Sequence, residues 1–354
     1  MADPRPVIRL TAPAGSCRRM LGELGCGSAD ELLALIRAAV GPAYRVTGDR
    51  RLIEATEDDA RGGRSDDLRR AGDLQRALAD DRVAAVVALR GGAWLTRILP
   101  RIDFDVLRHR RSRVALFGFS ELTTVINVAA RYPRAVCWYD LGPAFISTGL
   151  AGWALRQGPK HLRRPAAARR WALRRFRAEL AAFFRDATSL LEGRGSVRAV
   201  RGRLVAGRLP GATRVTLAGG TLAVLVSLIG TPYARSVFRS GRWLMLEDVN
   251  EAPHRLDRMV AHLHLAGALE RCGGLLLGDF RDGGHDRRDA VRSSLRRVLP
   301  ARSSLPVVVS DDFGHTWPMA PLPVGRPVEL RRRGSRIEVV PPWAELRVCD
   351  PARP

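Results

Sequence analysis

The chain has 354 residues, 46 % of them hydrophobic, so its length and composition predict a globular protein with room for two domains and exclude a disordered chain. Its net charge of +23 would ordinarily indicate a nucleic-acid partner, but nearly all of its basic residues are arginines, with Lys160 as the single lysine. Such a skew is typical of a GC-rich coding sequence, so we expect no nucleic-acid function, only adventitious attraction to acidic polymers.

Cysteine usage and hydropathy indicate the cellular compartment in which the protein works. The five cysteines are odd in number and form no CxxC pair, which predicts reduced thiols and argues against a disulfide framework or a zinc site. The N-terminal segment lacks the apolar and basic regions of a signal peptide, and no run of about 18 apolar residues predicts a membrane span. We therefore expect a cytoplasmic protein with no membrane partner.

The first 150 residues alternate strand-like and helix-like segments. PVIRLTAPA predicts a strand, SADELLALIRAAV predicts a helix capped by Ser28 or Asp30, and residues 65–80 predict a second helix. Three apolar runs predict buried, parallel-type strands: RVAAVVALRGG, RVALFGFS and RAVCWYDLGP. This alternation indicates an α/β fold with a mostly parallel sheet and flanking helices, in which ligands bind at the carboxyl ends of the strands. Four small residues fall at those ends: Gly91, Gly92, Ser120 and Gly142.

The composition changes after residue 150. Residues 151–199 include a dense arginine run, Arg163 to Arg177, and predict a basic helical linker that is a solvated connector. Shorter strand patterns and one strong helix, HRLDRMVAHLHLAGALERC, follow it. We therefore predict an N-terminal α/β domain at 1–150, a linker at 151–199 and a smaller α/β or β-rich domain at 200–354.

Ser120 is a candidate nucleophile because Gly118 and Phe119 precede it at a strand end, as in a nucleophile elbow. The full elbow pattern has glycine two places after the serine, where this chain has Leu122. The local sequence therefore leaves a second interpretation open, in which Ser120 is a helix N-cap or a core hydroxyl.

A serine nucleophile needs a base and a group that orients the base. His315 follows a buried strand and the Gly-rich turn in VVVSDDFGHTWP, which suits a positioned base, although a plain loop histidine remains an alternative. Glu247 comes directly after the apolar run that begins WLMLEDVNE and could orient that base. Asp248 and Glu251 could instead cap the helix that follows. The glycines in LRGGAW could let backbone N–H groups face a ligand, or could form an ordinary tight turn.

Six segments, in order along the chain, resemble the motifs of one family: VIRLTAPAGS, DDLRRAGDLQRALADDRVAAVVALRGGAWLTRILPRID, FGFSELT, LAGGTLAVLVSLIGTPY, LEDVNEAPHRLDRMVAHLHLAGAL and FGHTWPMAPLPVG. The sequence thus resembles the serine LD-carboxypeptidases, which include the muropeptide LD-carboxypeptidases and the microcin C self-immunity peptidases. The resemblance covers most of the chain, and six ordered motifs are far more specific than one.

The resemblance implies a Ser-His-Glu hydrolase with Ser120 as nucleophile, His315 as base and Glu247 as its orienting acid, in a cleft between the two domains. It implies an oxyanion hole from the backbone N–H groups of Gly92 and Glu121. The implied reaction releases a C-terminal D-amino acid from a murein tetrapeptide in cell-wall recycling, without a metal or organic cofactor, and the implied assembly is a homodimer.

The sequence specifies the substrate-binding residues less clearly than the catalytic residues. The candidate substrate-binding residues are Arg90, Gly91 and Trp94, and Arg90 is equally well a carboxylate clamp or a structural ion-pair partner. This chain departs from the family pattern at four positions: Glu121 for aspartate, Leu141 for histidine, Trp94 for glycine and Thr221 for asparagine. We interpret it as a divergent member with a kept triad and an altered pocket.

Two alternatives remain. The first is a self-immunity amidase acting on a peptide-nucleotide antibiotic, with Trp94 stacking on the base. The second is a binding protein on the same fold with a retired active site, which the altered pocket favours and the intact Ser120, Glu247 and His315 oppose.

Overall fold

The computed structural model describes residues 4–56, 64–196 and 198–350. The chain divides into two compact units: unit 1 is Met1–Val197 with Trp343–Pro354, and unit 2 is Arg198–Pro342. Within the described ranges, no helix combines the length and the apolar character that crossing a membrane requires.

Unit 1 is built on a parallel sheet. Its strands are β1 (Val7–Thr11), β2 (Arg45–Gly48), β3 (Val83–Ala88), β4 (Val114–Gly118) and β5 (Ala135–Tyr139). Its described α-helices are α1 (Arg18–Leu24), α2 (Ala29–Val40), α3 (Arg50–Glu54), α4 (Arg64–Ala79), α5 (Leu95–Ile98), α6 (Val106–His109), α7 (Thr123–Ala129), α8 (Ile146–Gln157) and α9 (Pro165–Leu191).

The strands of unit 1 lie in the order β5-β4-β3-β1-β2, and each neighbouring pair is parallel. Every residue of β3, β4 and β5 is buried, which confirms the prediction of buried parallel strands from the three apolar runs. The chain order reverses between β1 and β3, and open α/β sheets bind ligands beside such a reversal, at the carboxyl ends of the strands.

Residues 151–199, expected to form a linker, contribute most of α8 and all of α9 to unit 1. One face of α9 is buried against α8 and α2, with Ala168, Ala172 and Phe176 four residues apart on it. Arg170 and Arg174 lie on the exposed side of the same helix. The spacing of the small and aromatic residues thus makes this basic segment an amphipathic helix of unit 1.

Unit 2 combines a mixed sheet with helices. Its strands are β6 (Val200–Ala206), β7 (Ala212–Thr221), β8 (Trp243–Val249), β9 (Gly274–Asp282), β10 (His285–Asp286), β11 (Val307–Val309), β12 (Leu322–Val324), β13 (Pro327–Arg333) and β14 (Arg336–Val340). Its described α-helices are α10 (Leu222–Val226), α11 (Pro253–Leu265), α12 (Ala268–Arg271) and α13 (Arg288–Val298).

The main sheet of unit 2 closes on itself. Pairing runs β9-β11-β6-β14-β13-β7-β8, and β8 then pairs with β9 again. The consecutive pairs β7–β8, β8–β9 and β9–β11 are parallel, whereas the pairs that involve β6, β13 and β14 are antiparallel. Closure leaves no open strand edge in this ring. Unit 2 is therefore the smaller, β-rich unit of a mixed α/β protein, as the fold-class prediction allowed.

Candidate active site

Ser120 follows β4 after one intervening residue, in a strained backbone conformation. Its φ is 59°, in the left-handed region that a residue with a Cβ rarely adopts, and it opens a single 3-10 turn, Ser120–Leu122, that leads into α7. Such a conformation costs roughly 1–2 kcal/mol. The N-cap residues of this turn and of α7 are Phe119 and Leu122, and neither helix start has a side-chain cap, so Ser120 is not an N-cap. Its side chain is partly exposed.

Gly118 explains how this elbow forms without the second glycine of the motif. A Cβ built on Gly118 would lie 2.7 Å from the Leu122 Cβ and 2.8 Å from the Ile126 Cγ2. The absence of a side chain at residue 118 therefore lets the following turn and α7 pack tightly on the strand end. Leu122 fills that space and is buried, so a bulky residue at this place is compatible with the turn.

The glycine turn after β3 lies against the serine. A Cβ built on Gly91 would be 2.6 Å from the Ser120 Cβ and 3.0 Å from its Oγ. The Ala93 N–H donates to the Ala14 carbonyl oxygen at 2.8 Å and so holds this turn to the loop after β1. The strands β1, β3 and β4 thus bring their carboxyl ends together around Ser120.

We expect Gly91→Ala to abolish most activity while unit 1 stays folded, because the new methyl group would lie 2.6 Å from the Ser120 Cβ and 3.2 Å from the Phe119 carbonyl oxygen, so the nucleophile turn would have to shift. The φ of Gly91 does not lie in the left-handed region, so alanine brings a steric conflict and no backbone strain. Hydrolysis rates and melting temperatures would be compared with those of Gly22→Ala, whose added methyl meets nothing within 4 Å. Full activity in the Gly91 variant would contradict this geometry.

The backbone N–H groups expected to form an oxyanion hole are those of Gly92 and Glu121. Within the described residues, neither N–H donates a hydrogen bond to the protein. Both adjoin the contact between Gly91 and Ser120, so they are free to bind an external oxygen. Their role in the reaction stays a prediction.

The candidate substrate-binding residues Arg90 and Trp94, which belong to the same turn, contact other parts of unit 1. Arg90 Nη1 donates to the Ser16 carbonyl oxygen at 2.7 Å, so part of its guanidinium braces the loop after β1. Trp94 has φ 70° and is 40 % exposed. The Arg97 guanidinium lies 4.8 Å from the centre of its ring, and Arg97 also donates to Asp67. Trp94 is therefore a partly exposed, oriented aromatic surface.

Unit 2 holds a buried carboxylate and histidine pair. Glu247 stands near the end of β8, where the register against β9 shifts between Leu246 and Asp248, and such irregularities re-aim side chains. Glu247 is fully buried. Its Oε2 lies 2.7 Å from His315 Nδ1 and also accepts the His315 backbone N–H at 3.2 Å. The Thr221 hydroxyl donates to Oε1 at 2.6 Å.

These contacts define the state of the imidazole. Burial by itself would lower the pKa of His315, but the charge of Glu247 and its hydrogen bond outweigh burial, and the pKa is raised. With Nδ1–H donated to the carboxylate, Nε2 is the nitrogen that accepts a proton. A histidine held in this way is equipped for general-base chemistry.

Thr221 is the contact that sequence reasoning missed, since it noted this residue only as a departure from the family pattern. The signal is positional. Thr221 ends β7 and pairs in register with Glu247 on the parallel strand β8, so the two side chains leave neighbouring strand ends. Threonine still supplies a donor there, and both oxygens of the buried carboxylate are thus hydrogen-bonded.

Asp248 caps a different helix from the one expected. Its Oδ2 accepts the Ala223 N–H of α10 at 2.8 Å, whereas α11 begins after Ala252 without a side-chain cap. Glu251 instead forms an ion pair with Arg255, in which Glu251 Oε2 lies 3.7 Å from Arg255 Nη1. The prediction that these two acids cap α11 is therefore wrong, because the parallel neighbour of β8 presents its own helix start to Asp248. Burial, and then the charge of Glu247, raise the pKa of Asp248 to about 7.

We expect Asp248→Asn to change how stability depends on pH. A carboxyl with a raised folded-state pKa stabilises the fold fully below its unfolded value of 3.8, and this contribution is lost as pH rises through about 7. The variant should therefore lose less stability than the parent between pH 5 and pH 8 in urea unfolding. Asp289→Asn, at an exposed site, is the control. Equal slopes for Asp248→Asn and the parent would contradict the expectation.

Family models match both halves of the chain. The LD-carboxypeptidase N-terminal domain matches residues 8–139, and the LD-carboxypeptidase C-terminal domain matches residues 214–330. A putative carboxypeptidase of Streptomyces coelicolor is 33 % identical over 75 % of this chain and 74 % of its own length. A probable murein peptide carboxypeptidase of Bacillus subtilis is 27 % identical over 73 % of this chain and 72 % of its own.

Solved structures are similar over almost the whole chain. A muramoyltetrapeptide carboxypeptidase from Oxalobacter formigenes superposes with a TM-score of 0.61 at 25 % identity and covers 94 % of this chain and 97 % of its own. An MccF-like protein from Streptococcus pneumoniae, solved with AMP, has a TM-score of 0.64 at 16 % identity, with 95 % and 98 % covered. The second likeness concerns the fold alone.

Proposed function

This chain belongs to the LD-carboxypeptidase family of serine carboxypeptidases, and from that premise we propose that it removes the C-terminal D-amino acid from murein tetrapeptides. Two similar proteins, from Bacillus subtilis and Oxalobacter formigenes, carry names that specify murein peptides or muramoyltetrapeptide. The substrate class proposed here follows those names. A cytoplasmic location, expected from the cysteine usage and the lack of a signal-peptide pattern, and a homodimeric state, implied by the family resemblance, are further parts of the proposal.

The observation that carries the proposal is the backbone of Ser120. A non-glycine residue with φ 59° at a strand end, partly exposed and bearing a hydroxyl, is costly for folding and useful for nucleophilic attack. The Glu247–His315 pair in unit 2 supplies the type of base that a serine nucleophile needs. We propose that these three residues act together as nucleophile, base and orienting acid.

In the proposed reaction, His315 Nε2 takes the proton of the Ser120 hydroxyl while Oγ attacks the carbonyl carbon of the scissile amide. The N–H groups of Gly92 and Glu121 stabilise the oxyanion. The intermediate collapses when His315 returns its proton to the leaving amine, so the D-amino acid departs and an ester to Ser120 remains. Water, activated by the same histidine, then hydrolyses the ester. No step requires a metal or an organic cofactor.

A second candidate function is cleavage of a peptide-nucleotide conjugate, as in a self-immunity amidase. The observation that favours it is Trp94, whose ring is partly exposed beside the turn that contacts Ser120 and could stack on a base. Similar solved proteins include one with AMP and one with glutamyl sulfamoyl guanosine. The two candidates share one nucleophile and differ in the group beyond the scissile bond.

The test is to incubate the purified protein with a murein tetrapeptide and, separately, with a peptidyl nucleotide, and to identify the products by mass spectrometry. We expect D-alanine and the tripeptide from the first substrate. A fluorophosphonate probe, which reports on a reactive serine regardless of substrate, should label Ser120. Labelling with cleavage of the conjugate alone would favour the amidase. Neither labelling nor turnover by a folded protein would favour the retired enzyme.

A further inference from the structure

The side chain of Glu121 has a contact that the proposed reaction does not use. Its Oε1 accepts the Leu95 backbone N–H at 3.2 Å, and the Thr96 N–H is a second donor to this carboxylate. These are the first N–H groups of α5, which have no partner within their own helix. Trp94, the N-cap residue of α5, provides no side-chain cap. The Glu121 side chain, which belongs to the turn after β4, therefore caps the start of α5.

This contact joins two strained turns. On one side, Glu121 is bonded directly to Ser120, whose φ is 59°. On the other side, Trp94 has φ 70° and ends the turn whose Gly91 contacts the Ser120 side chain. A single carboxylate therefore links the nucleophile turn to the start of the helix that follows the glycine turn.

Burial of the Glu121 carboxyl opposes its ionisation. Burial raises the pKa of Glu121, and the two N–H groups of α5 only partly oppose this effect. Among the described residues, no lysine, arginine or histidine forms an ion pair with it. Relative to the unfolded chain, folding therefore favours the neutral acid, and the stability that Glu121 contributes is lost as pH rises.

We propose that Glu121 is a positioning residue. Its carboxylate holds the Gly91–Trp94 turn, and with it the Gly92 N–H, at the place where the oxyanion forms beside Ser120. This inference rests on the proposed function. It assigns to the side chain of Glu121 a part that is separate from the part proposed for its backbone N–H.

The experiment compares Glu121→Gln, Glu121→Ala and Glu121→Asp with the parent. We expect kcat to fall about tenfold in the glutamine variant and up to roughly a hundredfold in the alanine variant, because small displacements of an oxyanion donor act on the transition state. The KM should change less than twofold, and the melting temperature of the glutamine variant at pH 7 should be equal to or above that of the parent. Aspartate, one methylene shorter, should restore part of kcat.

A second readout does not depend on the substrate. Hydrogen exchange of the Leu95 and Thr96 amides should accelerate in the alanine variant, and fluorophosphonate labelling of Ser120 should slow. Glu179→Gln, which removes a surface partner of Arg175, is the matched control and should change neither. Unchanged exchange, or faster exchange with the kcat and labelling rate of the parent, would overturn the inference.

These readouts also separate the inference from the proposed function. If the parent protein neither releases D-alanine nor reacts with the probe, the proposed function fails. The exchange measurement still tests the Glu121 contact in that case: equal exchange of the Leu95 and Thr96 amides in the parent and in Glu121→Ala would show that the contact is absent. If the parent is active and the three variants match its kcat, only the inference about Glu121 fails.

Discussion

Ser120→Ala is expected to reduce tetrapeptide hydrolysis by roughly a millionfold, since removal of the nucleophile of a serine hydrolase costs about that factor in kcat. The fold should survive the change, because the Ser120 hydroxyl caps neither helix start beside it and the Cβ remains. The measurement is D-alanine release under single-turnover conditions, with the melting temperature recorded for each protein.

The matched control is Ser304→Ala, which removes an exposed hydroxyl from unit 2. It should hydrolyse the tetrapeptide at the rate of the parent. If Ser120→Ala retained more than a few per cent of the parental rate, with contaminating peptidases excluded by mass spectrometry, Ser120 would not be the nucleophile. The proposed mechanism would then fail at its first step.

Glu247→Gln is expected to lower kcat by about ten thousandfold, the size of effect seen when the orienting acid of a triad is replaced by its amide. If the amide nitrogen faced His315, it would meet the Nδ1–H donor and the imidazole would lose its orientation; if it faced Thr221, the hydroxyl could accept from it, and His315 would keep only a neutral amide oxygen as its partner. The amide also removes the charge that raises the pKa of His315. The acid limb of the kcat/KM profile should therefore move to lower pH.

Thr221→Val separates orientation from charge. It deletes the donor to Glu247 Oε1 but keeps the carboxylate and its charge beside His315. We expect a loss of kcat far below that of Glu247→Gln, of about tenfold. The acid limb should move in the opposite direction, toward higher pH, because a carboxylate with fewer hydrogen bonds attracts the imidazolium proton more strongly. Identical profiles for both variants would contradict the role proposed for Glu247.

The sequence predicted the framework of unit 1 because the buried strands of its sheet are recognisable from their apolar composition. The runs in β3, β4 and β5 are apolar throughout, which is typical of strands covered on both faces. It missed β2, whose four residues are RVTG. No periodicity can be read from so short and polar a segment, and β2 exists because β1 offers it a parallel partner.

The candidate site residues were predictable as far as residue type and position after a strand indicate them. Ser120 after β4, Glu247 near the end of β8 and His315 after β11 were all candidates from the sequence, but each kept a structural alternative. The backbone of Ser120 and the 2.7 Å contact between His315 and Glu247 belong to tertiary structure. The N-cap interpretation of Ser120 failed because helix starts depend on how the strand end turns.

By itself, the sequence determined the fold class, the ordered motifs and the family, since these depend on local hydrophobicity and residue identity. Only the tertiary structure decided the contacts of Thr221 with Glu247, of Asp248 with α10 and of Glu121 with α5. Each joins residues about 25 positions apart through the alignment of neighbouring strand ends. Such contacts depend on register and on backbone angles at the strand ends, and no local pattern of residues encodes either.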